Sequence, residues 1–417
     1  MVSKASTAQE VVTKRRAFYV PGYDPIHPRS YRELYRKEGA SQADVSGYSL
    51  SIAPKKTHGV YGWRVQAGIE GESVQTDFEV LVWSDIVRAS MVNSITSTYI
   101  LMARTVWVYM SSGALWRLMK LRKGPVIAAL YPVLMLFLQA AIAIFTGYAA
   151  AKANYTLLAL LPFVPSVFAI LLSVGLSVVI IVAILSFFKK LDPKLFVYYL
   201  MHDYSYSARS SGANPPELEA RIASFTELVG QALADDYDEV LVVGHSSGAH
   251  IGVSVLSDVI RAGAVSEGGP KLSFLTIGHV VPMVSFLPKA WRLRADLAYL
   301  STRDEIFWLD VTAPGDGCTF ALCDPVAVSG VAAKGKRWPV IISAAFSQTL
   351  SAKRWKELRW KFFRLHFQYM CSFDHPNDYD YFRITAGPQV LEKRFNGRRS
   401  SQSRLEKPVN KFTSVEP

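Results

Sequence analysis

Apolar positions along the chain fall into two patterns, short β-rich runs and two very long uncharged stretches. Residues 17–22, Ala-Phe-Tyr-Val-Pro-Gly, read as a short buried strand ending in a turn. A helix is predicted over 28–37 from the stripe Tyr31, Leu34 and Tyr35, and strands over 48–52, 61–65 and 78–83. Further on, Pro215, Pro216 and Glu217 open a helix that carries Phe225 and Leu228 to about residue 233. Strands at 239–243, 272–277 and 306–311 then alternate with helices at 249–262 and 290–300. Such alternation predicts an α/β fold, a mostly parallel sheet covered by helices on both faces.

The uncharged stretches span 126–150 and 156–188, which is 25 and 33 residues. As a helix the first is about 37 Å long, more than the roughly 30 Å hydrocarbon core of a bilayer. Pro162 and Pro165 trim the second, so its membrane part is expected to start near Val164. Residues 151–155 are too few for a domain, and the pair reads as a transmembrane helical hairpin. Arg117, Lys120, Arg122 and Lys123 precede it, Lys189, Lys190 and Lys194 follow it, and the connecting turn holds only Lys152. The positive-inside rule then puts both flanking segments in the cytoplasm, with the plasma (inner) membrane as the expected location. Lys14, Arg15 and Arg16 follow no long apolar run, so no secretory signal is read there. The helical pattern over 94–121, rich in Trp and Leu, suits either the bilayer surface or packing on the domain.

Composition narrows the class. Half of the 417 residues are hydrophobic and 19% are charged, which excludes a disordered chain, a collagen-like repeat and a long coiled coil. Three cysteines make no disulfide framework and fit a reducing compartment. The net charge of +12 sits in flanks and tail, favouring solvent or lipid over nucleic acid. The expected organisation is 1–123 and 191–388 as two parts of one domain, 124–190 as the hairpin, and 389–417 as a basic disordered tail. That tail holds seven basic and three acidic residues.

Chemistry concentrates in Gly244-His245-Ser246-Ser247-Gly248, a G-x-S-x-G sequence between a β-branched strand and a helix. A serine on so sharp a turn needs small neighbours, and the turn lifts its hydroxyl clear of the sheet. The following N–H, that of Ser247, then points at a developing oxyanion, aided by the helix N-terminus.

In these features the chain resembles the α/β-hydrolase superfamily, particularly its lipase- and esterase-like members. The resemblance covers about 17–90 and 191–388 and implies the order Ser, acid, His. It makes Ser246 the nucleophile. Residues 275–280 look like the next family strand, and 306–316 like the strand and loop that present the acid. The family's His-Gly oxyanion loop is replaced by Pro21-Gly22-Tyr23-Asp24, leaving Gly22 and Tyr23 as candidates for the second donor beside Ser247. The antiparallel strands that usually open the sheet are read as absent or rearranged, and the hairpin interrupts the fold before the elbow.

Three aspartates compete for the acid. Asp316 sits in a Gly-flanked loop beyond the strand end, where active-site loops of parallel sheets converge, and is favoured over Asp310 and Asp324. For the base, His366 in the aromatic stretch Phe-Phe-Arg-Leu-His-Phe-Gln-Tyr is favoured over His375, which a polar turn explains. His279 reads as a polar residue at a strand end, and His245 and His250 as structural or oxyanion-shaping. No zinc spacing, phosphate loop or dinucleotide motif is present, so neither metal nor cofactor is expected. The leading expectation is a membrane-anchored serine hydrolase cleaving an acyl ester, with a membrane lipid as a plausible substrate. A non-enzymatic membrane scaffold on the same fold, or an acyltransferase using the same triad, remain the alternatives; oligomeric state is not legible.

Overall fold

The computed structural model describes residues 11–55, 60–91 and 94–417. Eight strands form one sheet: β1 Lys14–Val20, β2 Ser49–Pro54, β3 Gly62–Ile69, β4 Glu72–Val80, β5 Glu239–His245, β6 Lys271–Ile277, β7 Ile306–Thr312 and β8 Val340–Ser343. Their order is β2-β3-β4-β1-β5-β6-β7-β8. Every neighbouring pair from β4 to β8 is parallel, whereas β3 runs antiparallel to both β2 and β4. The class is therefore α/β with a mostly parallel sheet. Of the expectation that the antiparallel strands are absent or rearranged, the second half fits: they are present at one edge, but follow β1 in the chain.

Central β5 is buried along its whole length, as its near-continuous apolar run requires of a strand covered on both faces. The Pro216–Ala234 helix starts with Pro and two glutamates and buries Leu218, Ile222, Phe225, Val229 and Leu233, one stripe at helical spacing. The Arg29–Ser46 helix runs well past residue 37, because nothing breaks it before Gly47, which closes it at φ 70°. Register aligns the carboxyl ends of the central strands: Val20 pairs with Gly244, His245 with Ile277, and Ile277 with Val311. The loops leaving these ends carry Gly22, Ser246, Gly278 and Asp316.

The chain divides into two compact units. The sheet and its helices belong to the first, built from described residues of 1–89, 109–125 and 210–417. The second holds the Ser166–Lys190 helix and, from Val126 on, the Lys123–Ala159 helix; both are long and apolar enough to cross a membrane, with mean hydropathy 3.0 and 2.2 over an 18-residue window. Much of their apolar surface faces outward, Phe145, Leu157 and Val179 being 73%, 65% and 65% exposed. The two helices touch at Gly147, where a Cβ would stand 2.8 Å from Ile181 and 2.9 Å from Ser177 Oγ. Asn154 Nδ2 donates to Ser173 Oγ across the same pair at 3.0 Å. The turn between them is not at 151–155: Ala151, Lys152 and Ala153 favour helix, and the break comes at 160–165, at Pro162 and Pro165.

Residues 389–417, expected as a disordered tail, pack on the first unit instead. Leu391 and Phe395 are buried. The Leu391 N–H donates to Glu239 Oε1 at 2.7 Å, Ser401 N–H to the Ile341 carbonyl at 2.7 Å, and Leu405 N–H to that of Leu322 at 2.7 Å. Glu239 also pairs with buried Arg15 at 2.6 Å, and the Arg15 guanidinium donates to the Gly387 and Gln389 carbonyls. A polar composition hid this segment, which is held through its backbone and two apolar anchors.

Candidate active site

At the end of β5 the chain turns through Ser246 at φ +55° and enters the Gly248–Arg261 helix. A non-glycine residue in this region is strained, and the surroundings hold it there. Ser246 N–H donates to the Ile277 carbonyl at 3.0 Å. A Cβ on Gly248 would stand 2.0 Å from the Val20 carbonyl oxygen, and one on Gly244 2.8 Å from Ala249 Cα. Only glycine fits at either position. Ser247 is the residue at which the helix begins, so its N–H is among the first-turn donors that no intrahelical acceptor can satisfy.

Gly22 lies directly over the serine: a Cβ there would stand 3.0 Å from Ser246 Cβ and 3.4 Å from Ser246 Oγ. Its loop is fixed by Trp83 Nε1, which donates to the Pro21 carbonyl at 2.9 Å, and by Asp24, which accepts from Ile26 N–H and the Tyr31 hydroxyl. Tyr23 is buried, its ring edge-on to Trp83 at 6.1 Å.

The fold brings Asp316 and His366 together. His366 Nδ1 is 2.7 Å from Asp316 Oδ2, and Asp316 is buried. The second oxygen, Oδ1, accepts the Cys318 N–H at 2.9 Å. With Nδ1 turned to the carboxylate, Nε2 is the ring nitrogen left for other contacts. The His366 ring lies tilted at 33° beside that of His245, centroids 4.8 Å apart, and a Cβ on Gly278 would stand 3.2 Å from His366 Cε1. Since His245 precedes Ser246, and Gly278 follows the Ile277 that holds its N–H, the imidazole sits against both flanks of the elbow.

Other candidates are occupied elsewhere. Asp310 is fully buried on β7 and accepts from Thr276 Oγ1 at 2.6 Å; desolvation pushes its carboxyl well above the usual range. Asp324 caps the Pro325–Val328 helix and pairs with Lys336 at 2.6 Å. His375 is exposed, and its N–H donates to the Thr349 carbonyl. His279 is buried, with Nε2 3.1 Å from the Cys323 carbonyl, and burial pulls its imidazole down to about 4.

Sequence reasoning gave His245 a structural or oxyanion-shaping role but did not reach the bonds of three supporting groups. The Tyr369 hydroxyl donates to Asp316 Oδ2 at 3.1 Å while accepting the Ala313 N–H at 2.9 Å. Its one visible signal was the spacing from His366 to Tyr369. Tyr19 and His245 form a relay, with Tyr19 OH 3.1 Å from His245 Nδ1 and His245 Nε2 3.1 Å from the His366 carbonyl. Burial, and then the neighbouring His366, hold His245 well below its ordinary pKa, so it stays neutral. Gly278 at φ +56° makes room for both His366 and Tyr369.

Among the described residues, Asp316, Cys318 and His366 form the one group of three potential ligands, their donor atoms all within 4.8 Å of one another. Comparisons with family models, curated proteins and solved structures returned no match.

Proposed function

We propose that this chain is a membrane-anchored serine hydrolase of the α/β-hydrolase type, acting on acyl esters. The observation that carries the reading is the 2.7 Å contact of His366 with buried Asp316, beside a strained serine on a strand-to-helix turn. In this reading Ser246 attacks the acyl carbonyl and passes its proton to His366 Nε2. Asp316 fixes the tautomer and stabilises the imidazolium, and Tyr369 holds the carboxylate. The Ser247 N–H, with Gly22 or Tyr23 as second donor, receives the oxyanion. The proton returns to the leaving alcohol, and water completes hydrolysis; an alcohol acceptor would turn the same steps into acyl transfer.

Sheet order adds support, with antiparallel strands at one edge and the elbow after a central parallel strand. The two apolar helices would be the anchor, and their basic flanks favour a cytoplasmic site at the inner membrane. A lipid ester is then the natural substrate class.

A second reading rests on the Asp316, Cys318 and His366 group, which offers three ligands for a divalent metal. Turnover of a p-nitrophenyl ester by the purified full chain separates the two. The hydrolase reading expects activity that survives chelation and Cys318→Ser but is lost in His366→Ala and kept in His375→Ala. Loss on chelation, restored by added zinc, would favour the metal.

A further inference from the structure

Just before His366 the chain runs Ala-Lys-Arg-Trp-Lys-Glu-Leu-Arg-Trp-Lys-Phe-Phe-Arg over residues 352–364, with six basic residues and one acidic. It folds as the Ala352–Leu358 helix and the Phe362–His366 helix. Charge and exposure are divided in an informative way. Arg354 pairs with Asp374 at 3.2 Å, but Lys353, Lys356, Arg359, Lys361 and Arg364 are exposed and form no ion pair among the described residues. Between them Trp360 is 72% and Phe362 49% exposed. The Arg359 guanidinium sits 5.6 Å from the centre of the Trp360 ring.

Inward, the same segment is seated on the candidate site. The Trp355 ring lies 2.6 Å from where a Cβ on Gly315 would stand, and Phe362 3.3 Å from that of Gly317, the two glycines flanking Asp316. Exposed aromatics ringed by unpaired cations are poorly matched to water and well matched to a bilayer, where indoles lodge at the headgroup level and cations meet anionic lipid. An electrostatic partner is specified by five unneutralised charges, and the same chain carries two membrane-length helices.

We propose that residues 352–364 form a docking surface for anionic lipid, with Trp360 and Phe362 entering the interface beside the Asp316 loop and His366. The proposal rests on the membrane-anchored reading above, and it makes the bilayer the source of substrate for the site.

The test uses the full chain in nanodiscs of phosphatidylcholine alone or mixed with phosphatidylglycerol, with and without brominated acyl chains. The difference in emission between wild type and Trp360→Phe isolates Trp360, a substitution its exposure makes benign. In anionic discs, bromine is expected to quench that emission about twofold or more. Quenching should fall in high salt and be lost when Lys353, Lys356, Arg359, Lys361 and Arg364 are all changed to Gln. Unquenched Trp360 in anionic discs overturns the proposal, and equal quenching in phosphatidylcholine alone overturns the anionic assignment. Shielding of Trp360 from acrylamide by a second copy in lipid-free micelles would assign the patch to self-association and also overturn it. Ser246→Ala should dock as wild type, so docking without ester turnover would remove only the hydrolase reading.

Discussion

Gly248 meets β1 so closely that a Cβ there would stand 2.0 Å from the carbonyl oxygen of Val20. The contact fixes where the helix after the elbow begins, and with it the conformation of Ser246. Gly22 meets the serine itself less severely, at 3.0 Å from its Cβ. Gly248→Ala should therefore destabilise the fold by about 3 kcal/mol or more, because backbone must move. Gly22→Ala should leave the melting temperature nearly unchanged and lower ester turnover by about tenfold, through displacement of the serine. Thermal melts and kcat measured on the same preparations check both.

Tyr369 and His366 share one oxygen of Asp316. Tyr369→Phe removes a bond to the carboxylate and leaves the Ala313 N–H without its acceptor, so a stability loss of about 1–3 kcal/mol is expected. Its kcat should fall about tenfold with KM little changed, since the hydroxyl acts through Asp316 rather than on substrate. Asp316→Asn should be far worse, on the order of 10³-fold, because the imidazole loses its tautomer. Equal effects of the two variants would argue that Asp316 does no more than pack.

Buried His250 follows the elbow, and its Nδ1 has no hydrogen-bond partner among the described residues. Burial pulls its pKa from 6.5 to about 4. Between those values the unfolded chain binds a proton that the folded chain refuses, so His250 costs stability as pH falls through that window. The lead of wild type over His250→Gln should shrink by on the order of 3 kcal/mol between pH 7 and pH 4. Denaturant midpoints of the two proteins in micelles, taken at both pH values, measure it. A constant difference would mean that His250 titrates normally.

The strand, elbow and helix at 239–261 were legible because local signals agree: a continuous apolar run, two glycines, and a helical apolar stripe. Asp316 and His366 were singled out one at a time, from a loop at a strand end and an aromatic context. Their 2.7 Å contact depends on strand register and could not be read from a separation of 50 residues. The same limit hid the partners of Tyr19, His245 and Tyr369, whose hydroxyls and ring nitrogens bond across the fold. Composition misled at 389–417, where Leu391 and Phe395 anchor a polar stretch. It misled again at 151–155, where one lysine suggested a turn although the local residues favour helix.

The central claim is that Ser246 is an activated nucleophile. A fluorophosphonate probe applied to membranes carrying the full chain, followed by peptide mapping, tests it without knowledge of the substrate. The account predicts one modified residue, Ser246, with labelling abolished in Ser246→Ala, strongly slowed in His366→Ala and Asp316→Asn, and retained in Ser247→Ala and His375→Ala. Absence of labelling in the folded, membrane-inserted wild type, or equal labelling of Ser246→Ala, would contradict it.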